Sequence, residues 1–137
     1  MAVTFERSTG AIGPFHAVFL AATTPLFFGA LLSDIAYAKS YEIQWSNFAS
    51  WLLIGAMVLA TIALLCGIVE FFRGLRRPVY LLVLAATWIV GFFDALHHSR
   101  DAWAIMPTAV VLSVIATVLA CVATWIGFAS LRAGGVR

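Results

Sequence analysis

The stretch IQWSNFASWLLIGAMVLATIALLCGIV, residues 43–69, decides the fold of this chain. It runs for 27 residues without Asp, Glu, Lys or Arg. A helix needs about 20 apolar residues to cross the roughly 30 Å hydrocarbon core of a bilayer, so this stretch predicts a transmembrane helix. Three further uncharged runs flank it, at residues 8–33, 78–93 and 102–131. The run 78–93 is short, at 16 residues, and the other two are long enough to span.

The composition agrees with this pattern. Of the 137 residues, 64% are hydrophobic and 10% are charged, whereas about one quarter of the residues of a soluble globular domain are charged. We therefore predict an all-α fold, a bundle of four transmembrane helices. It forms one integral membrane domain over residues 1–137, with helices at about 12–38, 45–73, 78–99 and 104–131.

The first apolar run is predicted to be a retained helix and not a cleaved secretory signal. Ala36-Tyr37-Ala38 has the small-x-small form of a cleavage site. However, the apolar stretch before it is longer than the usual 7–15 residues, and Glu6 offsets the charge of Arg7. The segment is therefore counted as helix 1.

The basic residues predict the orientation. Six arginines fall on the side that holds both termini and the second loop, and two basic residues fall on the other side. By the positive-inside rule, both termini of this multi-pass protein are cytoplasmic. The net charge of +2 predicts contact with membrane lipid and no nucleic-acid partner. The six are Arg7, Arg73, Arg76, Arg77, Arg132 and Arg137, against Lys39 and Arg100.

Ionisable residues crowd together at FFDALHHSRDAW, residues 92–103. Sixteen residues of helix reach only about 24 Å, so helix 3 is expected to continue into this stretch. On a helix, Asp94 and His98 are four positions apart, as are His97 and Asp101, and each pair shares a face. Helix 1 delivers Asp34 to the same outer layer, so the outer end of the bundle is predicted to be acidic and to carry histidine.

Three interpretations of this outer layer stay open. One is a structural polar cluster that caps helix 3 and positions the outer loop. A second is a divalent metal site formed by His98, Asp94 and Asp34, although no recognised ligand spacing such as HExxH is present. The third is a proton-linked or cofactor-binding role. The structural cluster would comprise Asp34, Asp94, His97, His98, Arg100 and Asp101.

The chain resembles the bacterial four-helix membrane family filed as domain of unknown function 2231. The resemblance spans Gly13 to Val136 and is carried by GPFHAVFL at 13–20, Asp34, HSRDAW at 98–103, MPTAVVLS at 106–113 and TWIG at 124–127. It implies a small inner-membrane bundle, sometimes attached to or encoded beside redox proteins, with haem b as a suggested cofactor. The matching site positions are His16, His98, Arg100 and Asp101.

Two departures from the family pattern bear on haem. The early part of helix 3 reads PVYLLVLAATW, without the histidine that many relatives carry, and the tail is shortened to LRAGGVR. His16 near the cytoplasmic edge and His98 near the outer edge are predicted to lie roughly 25–30 Å apart in depth, because most of a helix separates them. Each is a candidate cofactor-binding residue, but the two cannot ligate the same haem.

Adjacent histidines are predicted to play different parts. His98 heads the family-like HSRDAW, so we expect it to point into the bundle toward helix 1 and Asp34. His97 is expected to turn to the outer interface beside Trp103, where an amphipathic ring is tolerated. His16, one turn into helix 1, is interpreted either as a functional site or as a structural histidine bonded to a neighbouring carbonyl.

The sequence favours a non-catalytic function. The short connections predict an anchor or accessory subunit of a membrane complex, such as a redox complex, which associates with other membrane subunits or with itself. One alternative is an electron-transfer module that binds haem b or contacts quinone. A second alternative is a small metal-binding or proton-linked carrier. Enzymatic hydrolysis is not supported, because no serine or cysteine has a nearby catalytic partner in the sequence.

Overall fold

The computed structural model describes residues 11–135 and contains four long helices. They are α1 (Pro14–Ser40), α2 (Ile43–Phe72), α3 (Pro78–His98) and α4 (Thr108–Gly135), with a short 3-10 helix, Ala102–Ala104, before α4. All four are long and apolar enough to cross a membrane. The predicted all-α architecture with four spans is therefore confirmed. Arg7 and Arg137, which the orientation argument counts, lie outside the described residues.

Prolines set the starts of three helices. Pro14 and Pro78 occupy the first turn of α1 and α3, where a missing backbone N–H costs nothing and the fixed φ angle suits a helix. Pro107 directly precedes α4, which begins at Thr108 instead of the predicted position near 104. A residue before proline is pushed out of the helical region, so residues 105–107 form a turn and α4 starts after them.

The helices form a closed square. α1 packs against α2 and α4, and α3 packs against the same two neighbours, so α1 and α3 lie on one diagonal. Alanines supply much of the core on α2 and α4, which lets the backbones approach closely where lipid gives no hydrophobic drive for association. Large apolar side chains cover the outer faces of the bundle instead. The fully buried alanines of α2 and α4 include Ala49, Ala56, Ala60, Ala63, Ala116 and Ala123.

Candidate functional site

Three helices bring buried polar side chains together at one end of the bundle. α1 contributes Asp34, α3 contributes Asp94 and His98, and α4 contributes Ser113. Both aspartates are 0% exposed, the serine is 1% exposed, and the His98 side chain is 2% exposed. We call these four residues the outer cluster. Asp34 and His98 connect the diagonal pair α1 and α3, so the cluster lies on the central axis at that end of the bundle.

His98 is held by both of its ring nitrogens. Nδ1 lies 2.9 Å from the backbone carbonyl oxygen of Asp94 and 3.1 Å from the Oδ1 atom of the same residue. Only the carbonyl meets hydrogen-bond geometry, and Asp94 Oδ1 has no hydrogen-bond partner within the described residues. Nε2 lies 2.8 Å from Asp34 Oδ1. Because a carbonyl can only accept, Nδ1 carries the proton and Nε2 is directed at the carboxylate.

Ser113 bridges the two carboxylates. Its Oγ atom contacts Asp34 Oδ2 and lies 2.9 Å from Asp94 Oδ2. A serine hydroxyl has one proton to donate, so it can donate to only one of these oxygens. The other contact requires a proton on a carboxyl group.

A proton inventory shows what the outer cluster still requires. Its four contacts each need one proton: Nδ1 to the carbonyl, Nε2 to Asp34, and Ser113 to each carboxylate. Neutral His98 and Ser113 together supply two. Two more protons, each with one positive charge, are therefore needed. Two positive charges would also neutralise the two buried carboxylates, which are costly to keep charged away from water. Two protons would complete all four contacts. One divalent cation would neutralise both carboxylates and replace the proton between Nε2 and Asp34, and Ser113 would then donate to one carboxylate only.

The other residues predicted for this layer lie elsewhere. α3 ends at His98, so Asp101 is not on the helix and the expected pair between His97 and Asp101 does not form among the described residues; that expectation was wrong. Asp101 instead accepts a hydrogen bond from the Trp103 backbone N–H, which begins the 3-10 helix. His97 Nε2 lies 3.0 Å from the Ile105 carbonyl oxygen, in the outer loop. Arg100 is exposed and lines a surface hollow with His97.

A second buried cluster lies at the opposite end of the bundle, around His16. His16 Nδ1 lies 3.0 Å from Glu70 Oε2 on α2, and Nε2 lies 2.7 Å from the Tyr80 hydroxyl on α3. Glu70 Oε1 accepts a hydrogen bond from the Gly13 backbone N–H at 3.2 Å. We call His16, Glu70 and Tyr80 the inner cluster. The histidine is thus bonded to side chains, and not to the neighbouring carbonyl that the sequence suggested.

The inner cluster needs no additional charge. Tyr80 donates to His16 Nε2, Nδ1–H donates to Glu70, and Glu70 accepts from the backbone, so every contact has its proton when both His16 and Tyr80 are neutral. The side chain of Glu70 is 19% exposed, so its charge keeps some solvation. The inner cluster is complete as it stands, and the outer cluster is the candidate functional site.

Sequence reasoning did not identify Ser113, Glu70 and Tyr80 as members of these clusters. Each is a residue whose partner lies on another helix, so spacing along its own helix carries no signal. Ser113 lies within the family-like stretch MPTAVVLS at 106–113, and this was the signal in the sequence that could have assigned it to the outer cluster. Tyr80 is the first inward-facing residue of α3 and occupies the depth of His16, which only the packed structure reveals.

The two histidines do not fit a haem in this arrangement. Each of the four ring nitrogens already lies within hydrogen-bond distance of a protein atom. As whole residues, His16 and His98 are 1% and 9% exposed and pack inside the bundle, where a macrocycle would have to displace helices. They also belong to different clusters, so no single iron contacts both.

Comparison with known proteins identifies the family. Neither the curated proteins nor the solved structures include a match to this chain. One family model, described as "Predicted membrane protein (DUF2231)", matches residues 13–136. That match includes all four helices and every residue of both clusters. The chain therefore belongs to the DUF2231 family of predicted membrane proteins.

Proposed function

We propose that this membrane protein binds one divalent transition-metal ion at the outer cluster, between Asp34, Asp94 and His98. The observation that carries the proposal is the deficit of two positive charges at a fully buried pair of carboxylates. One divalent ion supplies both charges at once. Asp94 Oδ1 is buried without a hydrogen-bond partner among the described residues, and it would be one of the ligands of the ion.

The donor set suits such an ion. One ligand atom from each of the three residues lies within 4.8 Å of the others. Zinc bonds of about 2.0–2.2 Å place tetrahedral ligands about 3.4 Å apart, a separation within that range. An imidazole nitrogen with two carboxylate oxygens favours zinc and similar first-row ions over Mg²⁺ and Ca²⁺, which prefer oxygen ligands alone.

The orientation of His98 supports the same conclusion. A metal-bound histidine usually donates its second ring N–H to a backbone carbonyl or carboxylate, which fixes the tautomer and aims the free nitrogen at the metal. His98 has this arrangement, because Nδ1 donates to the Asp94 carbonyl and Nε2 points to the carboxylate side. Ser113 Oγ contacts both carboxylates and would orient them.

Zinc titration of the purified protein tests the proposal. The protein, purified through a tag without histidine and stripped with a chelator, is expected to bind one Zn²⁺ per chain at the cluster. Mg²⁺ in excess is expected to leave that binding intact. A chain that takes up no stoichiometric zinc, or that loses it to Mg²⁺, would contradict a transition-metal site.

The orientation of the bundle is also a proposal, supported by the six-to-two distribution of basic residues. We expect both termini to be cytoplasmic, which places the outer cluster on the far side of the bacterial inner membrane. Reporter fusions at Arg137 and in the loop at Arg100 should report opposite sides of the membrane. Equal labelling of the two positions would rule this topology out.

An anchoring or accessory role is the second candidate function. The links between α1, α2 and α3 comprise only residues 41–42 and 73–77, so they leave no room for a soluble catalytic domain. We propose that the apolar outer faces contact lipid and other membrane subunits or a second copy of the chain. Light scattering of the detergent-solubilised protein measures the mass of the chain separately from the detergent, and a monomer at all concentrations would exclude self-association.

A further inference from the structure

The two halves of the chain share a sequence pattern. The letters LAAT occur at residues 20–23 and again at 84–87, which is 64 positions later. The letters VLA occur at 58–60 and again at 118–120, which is 60 positions later. The first pair compares α1 with α3, and the second compares α2 with α4. The second shift is smaller by four because four fewer residues separate equivalent positions in the second half: Asp34 and Phe48 are 14 positions apart, whereas His98 and Thr108 are 10 positions apart.

Burial follows the same two shifts. Along α1 the inward-facing positions include His16, Leu20, Thr23, Phe27, Ala30 and Asp34, and each residue 64 positions later on α3 is also buried. Along α2 they include Ala49, Leu53, Ala56, Ala60, Ala63 and Gly67, and each residue 60 positions later on α4 is also buried. A shared helical period alone also gives a constant shift of burial, so the identical residues carry the evidence: at five of these six positions of α2, the same residue, Ala or Gly, recurs 60 positions later on α4.

We infer that the chain is a tandem duplication of one helical hairpin, and that both polar clusters lie on the pseudo-two-fold axis that relates the copies. A two-fold axis along the bundle would exchange α1 with α3 and α2 with α4. That exchange turns the α1–α2 contact into the α3–α4 contact, and the α1–α4 contact into the α2–α3 contact, and all four contacts are present. Both copies also begin with proline in the first turn, at Pro14 and Pro78.

Equivalent positions meet each other in both clusters. On a two-fold axis, a residue contacts its own counterpart in the other copy. The contact of His16 with Tyr80 and that of Asp34 with His98 both join residues 64 positions apart. In addition, Glu70 accepts a hydrogen bond from Gly13, and Ser130, 60 positions after Glu70, accepts one from the guanidinium of Arg77, 64 positions after Gly13.

Divergence of the copies explains how the outer cluster arose. Two identical hairpins would place aspartate against aspartate, or histidine against histidine, on the axis, and two like groups repel when charged. In one fused chain the two positions vary independently, so Asp34 can face His98. The remaining members are also places where the copies differ, since Asp94 corresponds to Ala30 and Ser113 corresponds to Leu53.

Exchange variants of the full chain test this inference, with thermal melting in detergent as the readout. The variants Asp34→His and His98→Asp each make the axis position symmetric and are expected to melt below the wild type. The double variant, which exchanges the two residues, should regain at least half of the larger single loss. The measurement needs no metal, so the inference stands or fails separately from the proposed function.

Exchange of two non-equivalent partners is the matched control. Asp34 and Ser113 are also in contact, but they are not related by the duplication. The double variant Asp34→Ser with Ser113→Asp keeps the same composition and should show no recovery over its single variants. Equal recovery in both exchanges, or a 34/98 exchange that melts no higher than its single variants or does not fold, would overturn the inference.

Discussion

Replacing His98 with alanine is expected to weaken zinc binding by about 100-fold or more, while the same change at His97 leaves it nearly unaltered. His98 supplies the only nitrogen ligand of the outer cluster, and even loss of a residue that merely orients a ligand costs about 10–100-fold in metal affinity. His97 contacts the Ile105 carbonyl in the outer loop and no member of the cluster. Isothermal titration of both variants with Zn²⁺ measures the difference.

The same pair of variants separates binding from folding. Removal of the His98 imidazole leaves buried Asp34 without one of its partners, so we expect a loss of about 1–3 kcal/mol in the free energy of unfolding of the metal-free protein. Removal of the His97 ring takes away one half-buried loop contact and should cost less. Two neighbouring residues of one helix thus serve as site and control. Similar zinc affinities in the two variants would contradict the assignment of His98 as a metal ligand.

The positions of these histidines show how far sequence reasoning reaches. Uncharged runs predict four spans because the bilayer imposes a minimum length on each helix. The spacing of four between Asp94 and His98 places both on one face of α3, and the family-like HSRDAW singles out His98 over His97. The structure agrees for His98, which points inward to Asp34, and it places His97 Nε2 against the Ile105 carbonyl oxygen of the outer loop.

The end of α3 could not be predicted from spacing. Extending that helix through Asp101 pairs this residue with His97, but Ser99 caps the helix and the chain turns before Asp101. The contacts of Ser113 were equally out of reach. Ser113 joins the two carboxylates from α4, 79 positions from Asp34, and no local pattern relates them. The constant shifts of 64 and 60 positions can be read from the sequence, but they indicate a duplication only when the buried faces of the helices are known.

Replacing both aspartates with asparagine is expected to abolish zinc binding and yet preserve the fold. The side chains keep their size, and each new amide brings N–H donors where the carboxylate had none. The amide at position 34 can then donate to His98 Nε2 and accept from Ser113, while the amide at position 94 donates to Ser113 Oγ. All four contacts of the outer cluster are satisfied without an extra charge, so the metal-free double variant should be at least as stable as the wild type. Even replacing a buried ion pair with well-packed hydrophobic residues of similar volume is often neutral or stabilising by about 1–4 kcal/mol.

Thermal melting with and without zinc distinguishes a metal site from a structural polar cluster. Zinc at 100 times its dissociation constant would stabilise the wild type by about 2.7 kcal/mol, because a ligand that binds only the folded state shifts the equilibrium by mass action. The Asp34→Asn, Asp94→Asn variant should show no such shift, although its metal-free melting temperature matches or exceeds that of the wild type. If the carboxylates serve only the fold, the wild type shows no zinc shift either. If instead the double variant retains the full shift, the ion binds elsewhere, and Asp34 and Asp94 are not its ligands.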